Sequence, residues 1–236
     1  PKTNGISSDN LEALLQEKFG FDRFRDYQQN VCRLVTEGND VLVVMPTGAG
    51  KSLCYQLPGI ARGGSTLVIS PLIALIEDQV DKLKTMGFAA ERIHSGIDRS
   101  ASRQICQSWI HGFLDFLFIA PERLGLPGFV NFMSKRKPNL IAVDEAHCIS
   151  HWGHDFRPDY RMLTDRLKPF LPTPIIALTA TATPDVQKDI VEQLNLNNST
   201  LAIHGFRRTN IAIEIIKSPI SKRSEMVLDI LRKDHA

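Results

Sequence analysis

The chain has 236 residues, 43% of them hydrophobic and 23% charged, which is typical of a folded globular protein and excludes a disordered or low-complexity chain. The formal net charge of +2 argues against binding to nucleic acid by overall charge alone, so any nucleic-acid-binding face must be local. No apolar run approaches the roughly 18 residues that span a bilayer, and the first ten residues lack an apolar signal core, which argues against membrane and secreted proteins. We therefore expect an intracellular protein, cytoplasmic if bacterial and nuclear if eukaryotic. The cysteines, Cys32, Cys54, Cys106 and Cys148, form no Cys-x-x-Cys pair, which indicates buried thiols in a reducing compartment.

From residue 40 onward, short runs that are apolar at every position alternate with amphipathic segments. Such runs are typical of strands buried on both faces of a parallel sheet covered by helices. The predicted strands are 41–45, 66–70, 115–120, 140–144 and 175–179. The alternation of strand and helix predicts an α/β fold, a parallel sheet with helices on both faces.

Two of the intervening segments have clear helix boundaries. In 70–87, apolar residues recur along one stripe, and Gly87 is the predicted C-cap. In 183–194, Thr183 is the predicted N-cap and Pro184 the first helical residue.

The order of elements changes after residue 201. A polar, basic turn at 204–210 precedes a predicted strand at 211–217 and a predicted helix at 221–233. This order predicts a first domain at 1–205 and the truncated start of a second α/β domain at 206–236, so that the chain is a fragment. An extra edge strand and a C-terminal helix on the first domain is an equally good interpretation.

A glycine-rich segment, MPTGAGKS, follows the first predicted strand and opens a helix. It matches the phosphate-loop pattern GxxxxGK[ST], except that Met45 replaces the first glycine. Its glycines let backbone N–H groups face phosphate oxygens, Lys51 is expected to reach the β- and γ-phosphates, and Ser52 is expected to ligate Mg²⁺. The strand before it and the helix after it disfavour a chance glycine-rich turn. The predicted nucleotide-binding residues here are Met45, Pro46, Thr47, Gly48, Ala49, Gly50, Lys51 and Ser52.

Two acids, Asp144 and Glu145, stand at the end of the predicted strand 140–144. A parallel sheet brings the carboxyl ends of its strands to one edge, so we expect these acids beside the phosphate loop. Asp144 suits the metal ion, and Glu145 suits polarisation of the attacking water. Together with Lys51 and Ser52, they complete the parts of a P-loop nucleoside triphosphatase that uses Mg²⁺ and ATP.

Polar turns follow three other apolar runs, at 70–72, 120–123 and 179–183. The same reasoning brings all these turns to one surface at the carboxyl edge of the sheet. Taken singly, each turn is explained as well by ordinary capping with Ser, Thr and Pro.

Aromatic side chains are crowded with arginine and histidine between residues 148 and 161. Aromatic faces beside arginine suit stacking on unpaired bases, which contributes about 1–3 kcal/mol per base. An ordinary amphipathic loop is one alternative. A zinc site is another, disfavoured because structural zinc uses two separated ligand pairs. The crowded residues are His151, Trp152, His154, Phe156, Arg157, Tyr160 and Arg161, and the zinc alternative would use His147, Cys148, His151 and His154.

These motifs together resemble those of the superfamily 2 helicases and, in detail, those of the RecQ family. The segment 11–30 resembles the family's adenine-recognition motif. The resemblance implies that Arg25 and Gln28 hydrogen-bond adenine and that Phe21 stacks on it. Residues 144–147 resemble the DEAH box, which adds His147 to the catalytic set of Lys51, Asp144 and Glu145.

The resemblance extends to the segments around this core. Residues 148–160 resemble the aromatic-rich loop that couples DNA binding to ATP hydrolysis, 70–79 resemble motif Ia, and 206–210 resemble the hinge before the second RecA-like domain. The departures are Asp26, Arg207 and Thr209. The implied coupling residues are Thr179, Ala180 and Thr181, and the implied DNA-contacting residues are Ser70, Pro71, Leu72, Arg123, Trp152, Phe156 and Arg157.

The resemblance therefore predicts the first RecA-like domain of an ATP-dependent 3′→5′ DNA helicase that acts in DNA repair or recombination. Its implied partners are single-stranded DNA, tailed duplex DNA and a second RecA-like domain. The direction of movement and the preference for DNA follow from the resemblance alone. The alternatives are an RNA helicase or duplex translocase of the same superfamily and, for this chain in isolation, a nucleotide-binding module without turnover.

Overall fold

Parallel strands form a single sheet in the computed structural model of the chain, which describes residues 10–25, 27–153, 155–197, 199–204 and 215–233. Within these residues the sheet has seven strands in the order β3-β4-β2-β5-β6-β1-β7. The sheet confirms the predicted α/β class. The strands are β1 Val41–Val44, β2 Thr66–Ile69, β3 Ala90–Ile93, β4 Phe116–Ile119, β5 Leu140–Val143, β6 Ile175–Thr179 and β7 Thr200–Ile203.

All five strands predicted between residues 41 and 179 are present, and two further strands, β3 and β7, form the edges of the sheet. An edge strand pairs on one side only and needs no continuous apolar run. β3 carries the half-exposed Glu91 and Arg92, and β7 alternates between half-buried and exposed residues. This is why neither edge strand stands out in the sequence.

Helices cover both faces of the sheet, as predicted. One apolar core lies between the sheet and helices α2, α3 and α4, and a second lies between the other face and helices α5 to α9. Gly87 and Thr183 flank α4 and α9 as the sequence predicts. These helices are α2 Gln28–Thr36, α3 Leu53–Ala61, α4 Ile73–Thr85, α5 Arg99–His111, α6 Phe129–Met133, α7 Pro158–Arg161, α8 Leu163–Leu167 and α9 Pro184–Gln193.

The N-terminal segment adds a small third core. Helix α1, Leu11–Leu14, continues as a turn of π-helix, Leu15–Phe19, and packs its leucines against α2 and α3. Phe24 is half-buried against the same cluster. The segment is thereby held beside the start of α3, where the phosphate loop ends.

The chain divides into two units, Pro1–Gly205 and Phe206–Ala236. In the second unit, the structure describes helix α10, Arg223–Lys233, within the predicted 221–233. Residues 215–217 of the predicted strand are not in a strand, and 211–214 lie outside the described residues, as does the predicted hinge at 206–210. The assignment of 206–236 to a second RecA-like domain stays a prediction. None of the described helices combines the length and the apolar character needed to cross a membrane.

Candidate nucleotide and DNA site

The phosphate loop joins the end of β1 to the start of α3. Gly48 and Gly50 have φ values of +81° and +87°, which favour glycine, and a Cβ on Gly50 would collide with the Gln28 amide. The Met45 side chain is fully buried, and its N–H donates to the carbonyl of Thr179 on β6 at 3.0 Å. Met45, the residue that departs from the glycine pattern, thus belongs to the core and fixes the first residue of the loop to β6.

Lys51 and Ser52 stand at the C-terminal end of this loop, both half-buried. The Lys51 ammonium donates to the carbonyl of Met45 at 3.2 Å, so it lies back across the loop. A cation held over backbone N–H groups at the head of a helix suits phosphate oxygens.

The acids Asp144 and Glu145 follow β5 at the same edge. The Asp144 N–H donates to the carbonyl of Ile69 on β2 at 2.9 Å, and the Glu145 N–H donates to Asp144 Oδ1 at 3.0 Å. Burial raises the pKa of Asp144 to about 6, and the neighbouring charge of Glu145 adds to the rise while Lys51 opposes it. Two acids with one lysine nearby form a site that favours a further cation.

Glu145 has a left-handed backbone, with φ +48° and ψ +44°. This conformation is uncommon for a residue with a side chain and occurs at functional sites. His147 lies next to it in the following turn, with Nδ1 3.3 Å from Glu145 Oε2 and 2.9 Å from Thr179 Oγ1. The Thr179 hydroxyl donates to the carbonyl of Thr181 at 3.1 Å, which leaves His147 Nδ1 as the donor to Thr179.

Strand order explains this chain of contacts. β6 lies between β5 and β1 in the sheet, so Thr179 at its end stands between the acids and the phosphate loop. The Thr179 carbonyl contacts the phosphate loop at Met45, and the Thr179 hydroxyl contacts the segment of the acids at His147. The structure thus brings together Lys51, Ser52, Asp144, Glu145, His147 and Thr179, whereas Ala180 and Thr181 follow on the surface side of the turn.

A cavity of about 340 Å³ opens beside the phosphate loop, between the N-terminal segment and helices α3 and α4. Its size falls in the range of small-molecule sites, about 300–1,000 Å³. Phe21, Arg25 and Gln28 line one side, Gly50 and Ser52 the floor. The residues that resemble the adenine-recognition motif therefore face one cavity, with Phe21 54% exposed.

Arg25 and Gln28 also support the phosphate loop from outside. Arg25 Nη1 donates to the Gly48 carbonyl at 2.8 Å, and Gln28 Nε2 donates to the Gly50 carbonyl at 3.2 Å. The Gln28 side-chain oxygen accepts from the Arg25 N–H at 3.0 Å. Both side chains keep further hydrogen-bonding capacity for a ligand. Asp26, which departs from the family pattern, lies outside the described residues.

The aromatic-rich loop, residues 148–160, separates its three aromatic residues by environment. Trp152 is 80% exposed. Phe156 is half-buried and stacks on His151, with ring centroids 3.9 Å apart. Tyr160 is fully buried and donates its hydroxyl to the Asp144 carbonyl at 2.8 Å, so it is a core residue and not a base-stacking one.

Arg157 connects this loop to the turn after β2. It pairs with Asp155, with Nη2 3.1 Å from Oδ2, and Nη1 donates to the Pro71 carbonyl at 3.1 Å. The predicted motif Ia turn and the aromatic-rich loop are therefore in direct contact. Neighbouring Leu72 is exposed, whereas Ser70 is only 2% exposed and its hydroxyl has no hydrogen-bond partner among the described residues. The predicted DNA contact at Ser70 thus concerns a residue whose side chain is turned into the fold.

Arg123 follows β4 in the next turn along the same edge. It is half-buried, and its Nε is buried without a partner in the described part of the chain. Parallel strands bring this turn to the edge that also holds the acids and the phosphate loop, as predicted. Its role in DNA contact stays a prediction.

Two of the four ligands of the zinc alternative, His147 and Cys148, lie close together, with Asp155 as a third donor that the alternative did not include. Ligand atoms of His147, Cys148 and Asp155 lie within 4.8 Å of one another. Asp155 is already paired with Arg157, burial and the Asp155 charge raise the pKa of the Cys148 thiol to about 12, and His151 stacks on Phe156. Among the described residues the close donors number three, one fewer than a four-ligand structural site uses, and His154 lies outside those residues. As predicted, all four cysteines are buried and free.

Two side-chain contacts were not predicted, and the residues of the second, Gln56 and Gln79, line the cavity. Tyr27 stacks on His204, and Gln56 Nε2 donates to Gln79 Oε1 at 3.0 Å between α3 and α4. Each pair joins segments that are distant in sequence. A single tyrosine or glutamine in a polar segment gives no local pattern from which the pairing could be found.

Comparison with known families and proteins agrees with the motifs found at the site. A family described as "DEAD/DEAH box helicase" matches residues 25–190. The Haemophilus influenzae protein named "ATP-dependent DNA helicase RecQ" is 43% identical over 218 residues, which cover 92% of this chain and 35% of that protein. The Saccharomyces cerevisiae protein named "ATP-dependent helicase SGS1" is 40% identical, covering 92% of this chain and 16% of that protein. These matches confirm the resemblance to RecQ helicases, and the chain spans about a third of the length of the bacterial RecQ proteins it matches.

Solved structures share the fold. The Mycobacterium smegmatis helicase Lhr, bound to ssDNA and AMP-PNP, has a TM-score of 0.68 and 23% identity, over 85% of this chain and 28% of that one. The helicase MrfA, bound to DNA and AMPPNP, has a TM-score of 0.64 and 22% identity, over 86% of this chain and 30% of that one. At these identities the likeness establishes the helicase fold alone.

Proposed function

Because this chain belongs to the DEAD/DEAH box helicase family, we propose that it forms the ATP-binding domain of a RecQ-type, ATP-dependent DNA helicase. The observation that carries the proposal is the meeting of the phosphate loop with Asp144 and Glu145 at one sheet edge, bridged by Thr179. Arg25, Gln28 and Phe21 around the adjoining cavity support recognition of the adenine base.

We propose that Ser52 and Asp144 hold Mg²⁺. A hydroxyl and a carboxylate are the oxygen donors that Mg²⁺ prefers, and the raised pKa of Asp144 fits a carboxylate that lacks a full countercharge. When bound, Mg²⁺ neutralises the developing charge on the β- and γ-phosphates.

The protein groups then divide the work of hydrolysis. Lys51 binds the phosphate oxygens, since it is the cation on the loop. Glu145 orients and polarises the attacking water. His147 holds the Glu145 carboxylate from one side through Nδ1, and the same atom contacts Thr179. A shift of the turn after β6 would therefore move His147 and, with it, the Glu145 carboxylate.

The DNA face in this proposal is the surface formed by the aromatic-rich loop and the turns at 70–72 and 120–123. The exposed Trp152 indole supports stacking on an unpaired base. Arg157 supports coupling, because it joins the loop to Pro71. The partners are single-stranded and 3′-tailed duplex DNA, in repair or recombination, within the bacterial cytoplasm or the eukaryotic nucleus.

A second RecA-like domain completes the proposed helicase. In P-loop enzymes, an arginine that reaches the γ-phosphate from a facing element contributes about 10³ to 10⁵ in rate. By resemblance, that arginine belongs to the second domain. Strand separation also needs two domains that close and open around ATP.

The test is steady-state ATP hydrolysis with saturating single-stranded DNA or RNA, together with unwinding of a 3′-tailed duplex. It compares this 236-residue chain with a protein that also carries the second domain. We expect the two-domain protein to hydrolyse ATP faster with DNA than with RNA and to unwind the duplex, and this chain alone to bind nucleotide weakly without unwinding. Stronger stimulation by RNA would favour the RNA-helicase alternative, and robust unwinding by the chain alone would contradict the role given to the second domain.

A further inference from the structure

Tyr27 and His204 form a stacked pair that joins two segments far apart in the sequence. Their ring centroids are 4.1 Å apart, with an angle of 25° between the planes. Tyr27 precedes α2 and lies between Arg25 and Gln28, the residues proposed to hydrogen-bond adenine. His204 directly follows β7. The pair therefore ties the proposed base-binding segment to the edge of the sheet.

The His204 end of the pair is fixed by the sheet. Its backbone N–H donates to the carbonyl of Val44 at 2.9 Å, which continues the pairing of β7 with β1. Val44 is the last residue before the phosphate loop. Burial lowers the pKa of the His204 imidazole, so the ring is neutral at pH 7. A neutral ring thus stands at a set distance from the phosphate loop.

The Tyr27 end is held by packing as well as by the stack, because the half-buried ring also packs against the core between the sheet and helices α2, α3 and α4. Residues 20–25 and Tyr27 lie outside the helices. The Tyr27 hydroxyl is 3.5 Å from the Ala49 carbonyl oxygen, which is long for a hydrogen bond. Stacking on His204 therefore adds a constraint on the direction of the Tyr27 ring, which lies between Arg25 and Gln28 in the sequence.

We propose that His204 is a positioning residue for the nucleotide base, which acts through Tyr27 to hold Arg25 and Gln28 toward the adenine cavity. The inference rests on the proposed function and extends it to a residue outside the recognition segment. The phosphate loop has its own anchor, the Met45 hydrogen bond to β6. Because Arg25 and Gln28 also donate to carbonyls of the phosphate loop, loss of the stack should weaken contacts to the base more than those to the phosphates.

The experiment measures binding of Mg·ATP and of Mg·tripolyphosphate, which carries the phosphates without a base, to this chain and three variants. Aromatic pairs contribute enough that His204→Ala should weaken ATP binding about three- to tenfold, or about 0.6–1.4 kcal/mol, with tripolyphosphate binding changed less than about twofold. His204→Phe, which retains a stacking ring, should restore ATP binding. His111→Ala is the matched control, because His111 stacks on Phe113 away from the cavity, with centroids 5.7 Å apart.

Three outcomes would overturn the inference and leave the proposed function standing. They are unchanged ATP binding by His204→Ala, an equal loss for both ligands, and failure of His204→Phe to restore ATP binding. A wild-type chain that binds neither ligand would instead contradict the proposed function.

Discussion

The phosphate loop and the aromatic-rich loop lie at the same sheet edge but are held in different ways. The contacts that fix the first are made to its backbone: the N–H of Met45 donates to Thr179, and the side chains of Arg25 and Gln28 donate to the carbonyls of Gly48 and Gly50. The second combines backbone turns, such as the hydrogen bond from Arg157 N–H to the Cys148 carbonyl at 2.9 Å, with contacts made by its own side chains, chiefly Arg157 and Tyr160, and leaves Trp152 80% exposed. In the proposed function, the first loop presents backbone N–H groups to phosphate, and the second keeps an exposed aromatic face for DNA.

The largest expected effect separates hydrolysis from binding within the first region. Glu145→Gln keeps the shape of the side chain and removes the charge that polarises water, so hydrolysis should fall by about 10² to 10³ while Mg·ATP affinity is kept. Single-turnover hydrolysis and equilibrium binding in the two-domain protein measure the two quantities. If this variant loses ATP affinity instead, Glu145 is a binding residue and its proposed role is wrong.

The next effect concerns the second region alone. Trp152→Ala should weaken single-stranded DNA binding by about 5- to 150-fold, the equivalent of about 1–3 kcal/mol for one stacked base, and lower the DNA stimulation of ATP hydrolysis. DNA-free hydrolysis should stay close to the wild-type rate. Fluorescence anisotropy with a labelled oligonucleotide measures the affinity.

The matched control for this variant is Phe113→Ala. Phe113 is 71% exposed and precedes β4, so it lies at the amino ends of the strands, away from the carboxyl ends where the aromatic-rich loop lies. It should leave DNA affinity unchanged. Equal loss of basal and DNA-stimulated hydrolysis in Trp152→Ala would show that the two regions are not separable.

The smallest effect should appear at Tyr160, the aromatic residue that belongs to the core. Tyr160→Phe removes the hydrogen bond to the Asp144 carbonyl and keeps the ring, which should lower the free energy of unfolding by about 1–2 kcal/mol. Urea denaturation measures this change. A variant as stable as the wild type would mean that the buried hydroxyl contributes nothing to holding the loop.

The sequence best predicts the features that depend on continuous burial along a strand and on glycine in the backbone. Continuous apolar runs predict the five inner strands, and the glycine pattern together with the acids after β5 predicts the phosphate edge. The edge strands escape prediction because they are half-exposed. The contact of His147 with Thr179 depends on β6 lying between β5 and β1, an order that no local pattern encodes.

The environment of individual side chains is the other feature that the sequence does not predict. Trp152, Phe156 and Tyr160 have equal standing in the sequence, but one is exposed, one stacks on a histidine and one is buried. Only the packing of each side chain in the folded structure separates them. For the same reason, the burial of Ser70 could not be predicted from its place in a polar turn.

The central claim is that the phosphate loop, residues 45–52, binds Mg·ATP through Lys51. Calorimetric titration of this chain with Mg·ATP tests it most directly, with Lys51→Ala as the variant and Lys168→Ala as the control, because Lys168 is exposed and pairs with Asp165. We predict one-site binding by the wild type and the control, and at least about tenfold weaker binding by Lys51→Ala with an unchanged melting temperature. Equal affinity in the wild type and Lys51→Ala would contradict the account.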